Sequence, residues 1–149
     1  MIVTSSAEMR ILGQKLAAWL LQESSANTVL LDGPLGAGKT ELAKGIIGGL
    51  GIRELVTSPT FSIINHYSIK NIDVYHIDLY RIQEEDLLNL GIEELLDNDD
   101  SLVIVEWASL HPQLFDEHCA VEISLIDEEP LHRRINLSGT VDGTAQWLQ

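Results

Sequence analysis

Cysteine is nearly missing from this chain of 149 residues: Cys119 stands alone, so an internal disulfide and a multi-thiolate metal site are both excluded. Basic residues are also scarce, with 9 Lys and Arg against 23 Asp and Glu and a formal charge of −14. Such a surface repels polyphosphate, so tight, direct binding to nucleic acid by this chain alone is not expected. The acidity keeps a small protein in solution or suits a basic protein partner, and composition does not choose between the two. No apolar stretch approaches the roughly 20 residues that a membrane span needs. Met1-Ile2-Val3-Thr4-Ser5 has neither the basic start nor the apolar core of a signal peptide. Internal repeats, low-complexity tracts and dividing linkers are absent too. These absences point to a cytoplasmic chain folded as one domain over residues 1–149, long enough to bury roughly two-thirds of its unfolded surface.

What is present alternates between two periodicities. Ser5-x-x-Glu8 predicts a capping box opening a helix whose Leu12, Leu16 and Leu20 share a face. Thr28-Val29-Leu30-Leu31 is a short apolar strand, and Thr40 to Leu50 predicts a helix with Leu42, Ile46 and Leu50 four apart and Gly51 as its stop. Phe61 to Tyr67 and Ile72 to Leu79, separated by Lys70-Asn71, predict an antiparallel hairpin. Glu84 to Leu96 predicts one or two short helices interrupted at Gly91. Leu102-Val103-Ile104-Val105-Glu106 has the apolar run of a strand covered on both faces. A second hairpin is expected from Val121-x-Ile123-x-Leu125 and Arg133-x-Ile135-x-Leu137 about Asp127-Glu128-Glu129-Pro130. The expected fold is a three-layer α/β domain of the P-loop NTPase kind, its mixed central sheet carrying antiparallel hairpin additions.

Between the first strand and its helix lies Gly33-Pro34-Leu35-Gly36-Ala37-Gly38-Lys39-Thr40. Gly-x4-Gly-Lys-Thr is the pattern in which backbone N–H groups wrap phosphates at a helix N-terminus. The glycines permit close approach of an anion and backbone angles that a Cβ opposes. Lys39 is placed to reach the β- and γ-phosphates of ATP, and the Thr40 hydroxyl to ligate Mg²⁺. The bare pattern arises by chance in about one chain of this length in 200 at average composition, so the strand before it and the helix after it are what make it specific. No Asn/Thr-Lys-x-Asp run is present to read guanine, and the five arginines are scattered rather than gathered into a kinase lid. ATP hydrolysis is therefore favoured over GTP hydrolysis, and over the alternative of a small-molecule or nucleotide kinase.

A loop of this kind works with a carboxylate at a strand end, holding Mg²⁺ or positioning the attacking water. Asp78 ends one strand and Glu106 another, and the residues alone do not say which does which. Ser58-Pro59-Thr60 is either an ordinary turn or a switch that senses the γ-phosphate. Arg81 is placed to meet transferring phosphate or to pair with a nearby acid. Trp107 reads as packing, positioned to report nucleotide binding beside Glu106. His66, His76, His111, His118 and His132 have no metal-ligand spacing and read as structural or surface residues.

Taken in order, Leu35-Gly36-Ala37-Gly38-Lys39-Thr40, Ser58-Pro59-Thr60-Phe61, His76-Ile77-Asp78-Leu79-Tyr80-Arg81, Leu90-Gly91-Ile92 and Val105-Glu106-Trp107 resemble the bacterial TsaE (YjeE) family over nearly the whole chain. The resemblance implies the ATPase component of tRNA threonylcarbamoyladenosine synthesis, docking on TsaD and its paralogue TsaB, with tRNA reached only through that complex. It implies Mg²⁺ ligands at Thr40 and Glu106, a hydrolysis residue at Asp78, a switch at Ser58 and Thr60, and adenine between Ser6 and Arg133. Two positions depart from the family pattern: Pro34, often acidic in relatives, and Met9, often Thr.

Overall fold

The computed structural model describes residues 1–22, 27–116, 118–126 and 129–139. Seven strands form one sheet: β1 (Ile2–Val3), β2 (Thr28–Asp32), β3 (Ile64–Ile69), β4 (Ile72–Asp78), β5 (Ser101–Glu106), β6 (Cys119–Leu125) and β7 (Arg133–Gly139). Their spatial order is β1-β7-β6-β2-β5-β4-β3. The four central strands β6, β2, β5 and β4 run parallel, while β3, β7 and β1 are added antiparallel at the two sides. β5 lies between β2 and β4 with all six residues buried, which is why its sequence does not alternate. Both expected hairpins are present. The Asp127-Glu128 part of the second turn lies outside the described residues.

Helices α1 (Ser6–Gln22) and α2 (Lys39–Gly49) cover one face of the sheet, and α3 (Glu84–Leu90), α4 (Ile92–Leu96) and two 3-10 turns cover the other. Leu12, Leu16, Leu42 and Ile46 pack with Val29, Leu31 and Ile104 on the first side. Leu87 and Ile92 pack with Leu30, Val103 and Val105 on the second. The alternation of Leu30 and Leu31 between the two cores is the period of two of a strand covered on both faces. α1 and α2 approach closely because glycine lines their contact. A Cβ on Gly13 would stand 2.5 Å from the Leu42 carbonyl, and one on Gly45 would meet the Arg10 backbone, 2.8 Å from its Cα.

Two local details differ from the expectations, and a third, left open between one helix and two, is resolved as two. At the start of α1, Ser5 Oγ accepts the Glu8 N–H, but the Glu8 carboxylate turns to Thr4, taking its N–H at 2.8 Å and its hydroxyl at 2.9 Å. These bonds, the backbone one foremost, hold the Glu8 carboxyl below the usual value. Strand β3 starts at Ile64 rather than Phe61, because Ile63 adopts a φ of 67° and ends a turn closed by its N–H on the Pro59 carbonyl; Phe61 is left exposed. Glu84 to Leu96 resolves into two helices, since Gly91 takes a φ of 66° that stops one and starts the next.

Candidate functional site

The carboxyl ends of β2, β4 and β5 meet at one edge of the sheet, where open α/β folds bind ligands. Their last residues are Asp32, Asp78 and Glu106, with Asp78 opposite Glu106 and Leu31 opposite Glu106 in register. The glycine loop leaves β2 over this edge and returns as α2. Gly36 and Gly38 hold φ of 76° and 106°, the left-handed region that a side chain opposes. Leu35 stands exposed at the tip of the loop, whereas Ala37 is buried beneath it.

Lys39 begins α2 and folds back under its own loop. Its Nζ donates to the Gly33 carbonyl at 2.6 Å and the Pro34 carbonyl at 3.0 Å, and it lies 3.7 Å from the centre of the Trp107 ring. The side chain is buried, though it belongs to neither apolar cluster. Burial lowers the ammonium below the usual lysine value, and the negative charges of Glu106, Asp78 and Asp32 oppose that shift. Trp107 has a φ of 63°, and the Tyr80 ring packs against it tilted by 41°, with centroids 4.7 Å apart.

Thr40, one residue into the helix, donates its hydroxyl to Glu106, at 3.0 Å from Oε1 and 3.3 Å from Oε2. A hydroxyl and a carboxylate held together at a strand end are hard oxygen donors of the kind Mg²⁺ takes, so the pair could hold that ion. Asp78 is turned elsewhere: Oδ1 accepts the Tyr80 N–H at 2.9 Å, and Oδ2 accepts the Thr60 hydroxyl at 3.4 Å. Thr60 Oγ1 is also 2.7 Å from Ser58 Oγ, and the Asp78 N–H donates to the Ile63 carbonyl. The Ser58–Thr60 segment is thus tied to Asp78 through the Thr60 side chain, and Ile63 just beyond it through the backbone.

On the other side of the loop, Arg133 donates to the carbonyls of Ala37 at 3.2 Å and Gly36 at 3.4 Å. A cavity of about 190 Å³ opens there, lined by Ser6, Met9, Gly36, Gly38, Glu41 and Arg133 among others. The expected pair Ser6 and Arg133 therefore faces one space, and Met9 packs under Gly38. Arg81 does not join the loop. It lies over the Phe61 ring at 6.0 Å and, with Thr60, Asp78 and Tyr80, lines a second cavity of about 470 Å³.

Of the two readings given to His76, structural or surface, the structure supports the first: it is fully buried. What the sequence reading missed is its partner, Glu106 Oε1, 2.8 Å from its Nε2. The available signal was the alternation Val74-x-His76-x-Asp78, which puts His76 on the face of the sheet that carries Asp78.

Strand, glycine loop and helix in this order, a lysine under the loop and a hydroxyl against a strand-end carboxylate define a P-loop NTPase fold. The sequence model of the family described as threonylcarbamoyl adenosine biosynthesis protein TsaE matches residues 3–135, and the chain belongs to the TsaE family. It is similar to the tRNA threonylcarbamoyladenosine biosynthesis protein TsaE of Nostoc sp., 36% identical over 121 residues, which are 79% of this chain and 70% of that protein. The protein of the same name from Bacillus subtilis is 43% identical over 84 residues, 56% of this chain and 52% of the relative. The crystal structure of YdiB from Bacillus subtilis superposes with a TM-score of 0.77 at 26% identity, covering 99% of this chain and 89% of that one. Among the described residues, no helix is long and apolar enough to cross a membrane.

Proposed function

We propose that this protein is a Mg²⁺-dependent ATPase that supports the formation of threonylcarbamoyladenosine in tRNA without transferring the group itself. Its working surface is a complex of TsaD and TsaB, and it meets tRNA only through them. The observation that carries the ATPase reading is the hydrogen bond from Thr40 to Glu106 across the mouth of a loop whose lysine already sits beneath it.

Each residue has a physical task in that reading. The loop N–H groups and the N-terminus of α2 receive the phosphates. Lys39 exchanges the Gly33 and Pro34 carbonyls for phosphate oxygens, swapping neutral acceptors for anionic ones and gaining charge-assisted bonds. Thr40 and Glu106 hold Mg²⁺, which when bound draws off negative charge from the phosphate oxygens. Asp78 aligns the water that attacks the γ-phosphorus, and Ser58 and Thr60 move with it because Thr60 already touches its carboxylate. The base occupies the cavity between Ser6 and Arg133. Phosphoryl transfer depends on positioning and charge stabilisation, so truncating either acid slows hydrolysis, but only one change removes a metal ligand. Glu106→Ala is expected to lower Mg²⁺-dependent ATP affinity, and Asp78→Ala to spare affinity while slowing turnover. Mg·ATP titration and phosphate release on both variants test this; near-normal turnover in both would sink the assignment.

One observation favours the kinase alternative. The cavity of about 470 Å³ beside Asp78 and Thr60 has room for a small acceptor. Label from γ-³²P-ATP appearing on a metabolite rather than as free phosphate would establish that reading instead.

A further inference from the structure

His76 is the one buried histidine that touches the proposed machinery, and its setting is unusual. In the sheet it pairs with Ile104 of β5, so its side chain reaches diagonally to Glu106, two residues further along that strand. Val74 and Ile104 belong to the apolar core on this face. A leucine or isoleucine would suit such a position, because the ring leaves Nδ1 with no hydrogen-bond partner and an unpaired buried polar atom is destabilising. The other nitrogen, Nε2, meets Glu106 Oε1 at 2.8 Å. A carboxylate only accepts, so the proton of this bond is on Nε2. Glu106 Oε1 thus receives two donors, His76 at 2.8 Å and Thr40 at 3.0 Å, while Oε2 has the longer Thr40 contact at 3.3 Å.

We propose that His76 is a positioning residue, its Nε2–H fixing the Glu106 carboxylate so that Oε2 faces the site and the spacing to Thr40 is kept when a divalent cation enters. The inference rests on the reading of Thr40 and Glu106 as a Mg²⁺ site. Without the imidazole, a buried carboxylate on a strand end keeps Thr40 as its only hydrogen-bond partner among the described residues and is free to rotate toward it. Partners that orient a metal ligand typically change metal affinity by about 10- to 100-fold when removed. Phosphate contacts to the loop do not pass through His76, so nucleotide affinity without metal is unaffected.

The test compares ATP affinity in Mg²⁺ and in EDTA for the wild type, His76→Leu and His76→Gln, with thermal midpoints alongside. His76→Leu fills the space without a donor; His76→Gln returns an N–H at a reach close to that of Nε2. The metal-dependent gain in affinity is expected to fall by about 10-fold or more in His76→Leu and to recover to within about threefold in His76→Gln, with EDTA values within about twofold throughout. In a Glu106→Gln background, His76→Leu should cause no further loss. A folded His76→Leu that keeps the full gain overturns the proposal, as does equal loss in both variants. A wild type with no metal-dependent gain overturns the Mg²⁺ reading as well, which separates the two failures. If His76→Leu does not fold, ¹⁵N resonances of the wild-type imidazole decide: a proton on Nε2 before and after Mg·ATP supports the assignment, and a proton on Nδ1 alone overturns it.

Discussion

An ammonium withdrawn from water needs replacements for its solvent, and for Lys39 they are two carbonyls and an indole face. They do not fully compensate, since burial still lowers the lysine below 10.5, its ordinary value. The unfolded chain therefore binds a proton at Lys39 over a pH interval, ending near 10.5, in which the folded chain has released it. Stability rises with pH across that interval, and the penalty is fully present below it. Comparing urea unfolding of wild type and Lys39→Met from neutral pH to about pH 10 should show the difference shifting in favour of wild type as pH rises. A difference that stays constant or shifts the other way would contradict the burial argument. Thr40 gives a second residue-scale prediction. Thr40→Val keeps the shape and loses the hydroxyl, so the Mg²⁺-dependent gain in ATP affinity should drop by about 10-fold or more, while Thr40→Ser keeps most of it. Equal affinity of Thr40→Val with and without EDTA relative to wild type would remove Thr40 from the metal site.

At the scale of elements, the contact between α1 and α2 decides where the loop points, because α2 grows directly out of it. Gly45 and Gly48 lie three apart on α2 and should respond oppositely to alanine. A Cβ on Gly45 would collide with the Arg10 backbone, whereas one on Gly48 meets nothing within 4 Å. Overpacking against a backbone is destabilising by about 1–3 kcal/mol, more than the roughly 1 kcal/mol of helix propensity that alanine gains over glycine. Gly45→Ala should therefore lower the urea midpoint and Gly48→Ala should raise it; the same sign for both would refute the close-contact account. This contrast also marks where sequence reading stopped. β2, α2 and β5 were legible because their periods, their glycine boundaries and the apolar run of Leu102 to Val105 are local signals. The start of β3 was not, since the left-handed Ile63 is held by bonds from Asp78 and to Pro59 that no neighbouring residue announces. Gly33 to Thr40, Asp78 and Glu106 were legible as a set because strand ends carry them to one sheet edge. His76 was not, because its partner is 30 residues away and the pairing depends on which strands become neighbours.

For the whole molecule, the charge of −14 and the cavity that buried Asp78 lines bear on the proposed partners. On the proposed reading the phosphate loop works in a site that a partner closes, so the lone protein should hydrolyse ATP slowly. A partner that prefers the ATP-bound form can exclude water and order the Ser58–Thr60 turn. Phosphate release should accordingly rise when TsaB and TsaD are added. Added salt should slow association more than it changes basal hydrolysis, because rim charges act mainly on the rate of encounter. Fast turnover by the protein alone, unaltered by the partners, would defeat that part of the account. Beneath it lies the claim that the Gly33–Thr40 loop and Lys39 hold the phosphates, and one calorimetric titration reaches it directly. Mg·ATP is titrated into wild type and Lys39→Ala, with circular dichroism showing both folded. The account predicts saturable binding by wild type and a loss of about 100-fold or more in the variant, about 2.7 kcal/mol; unchanged affinity in a folded Lys39→Ala would contradict it.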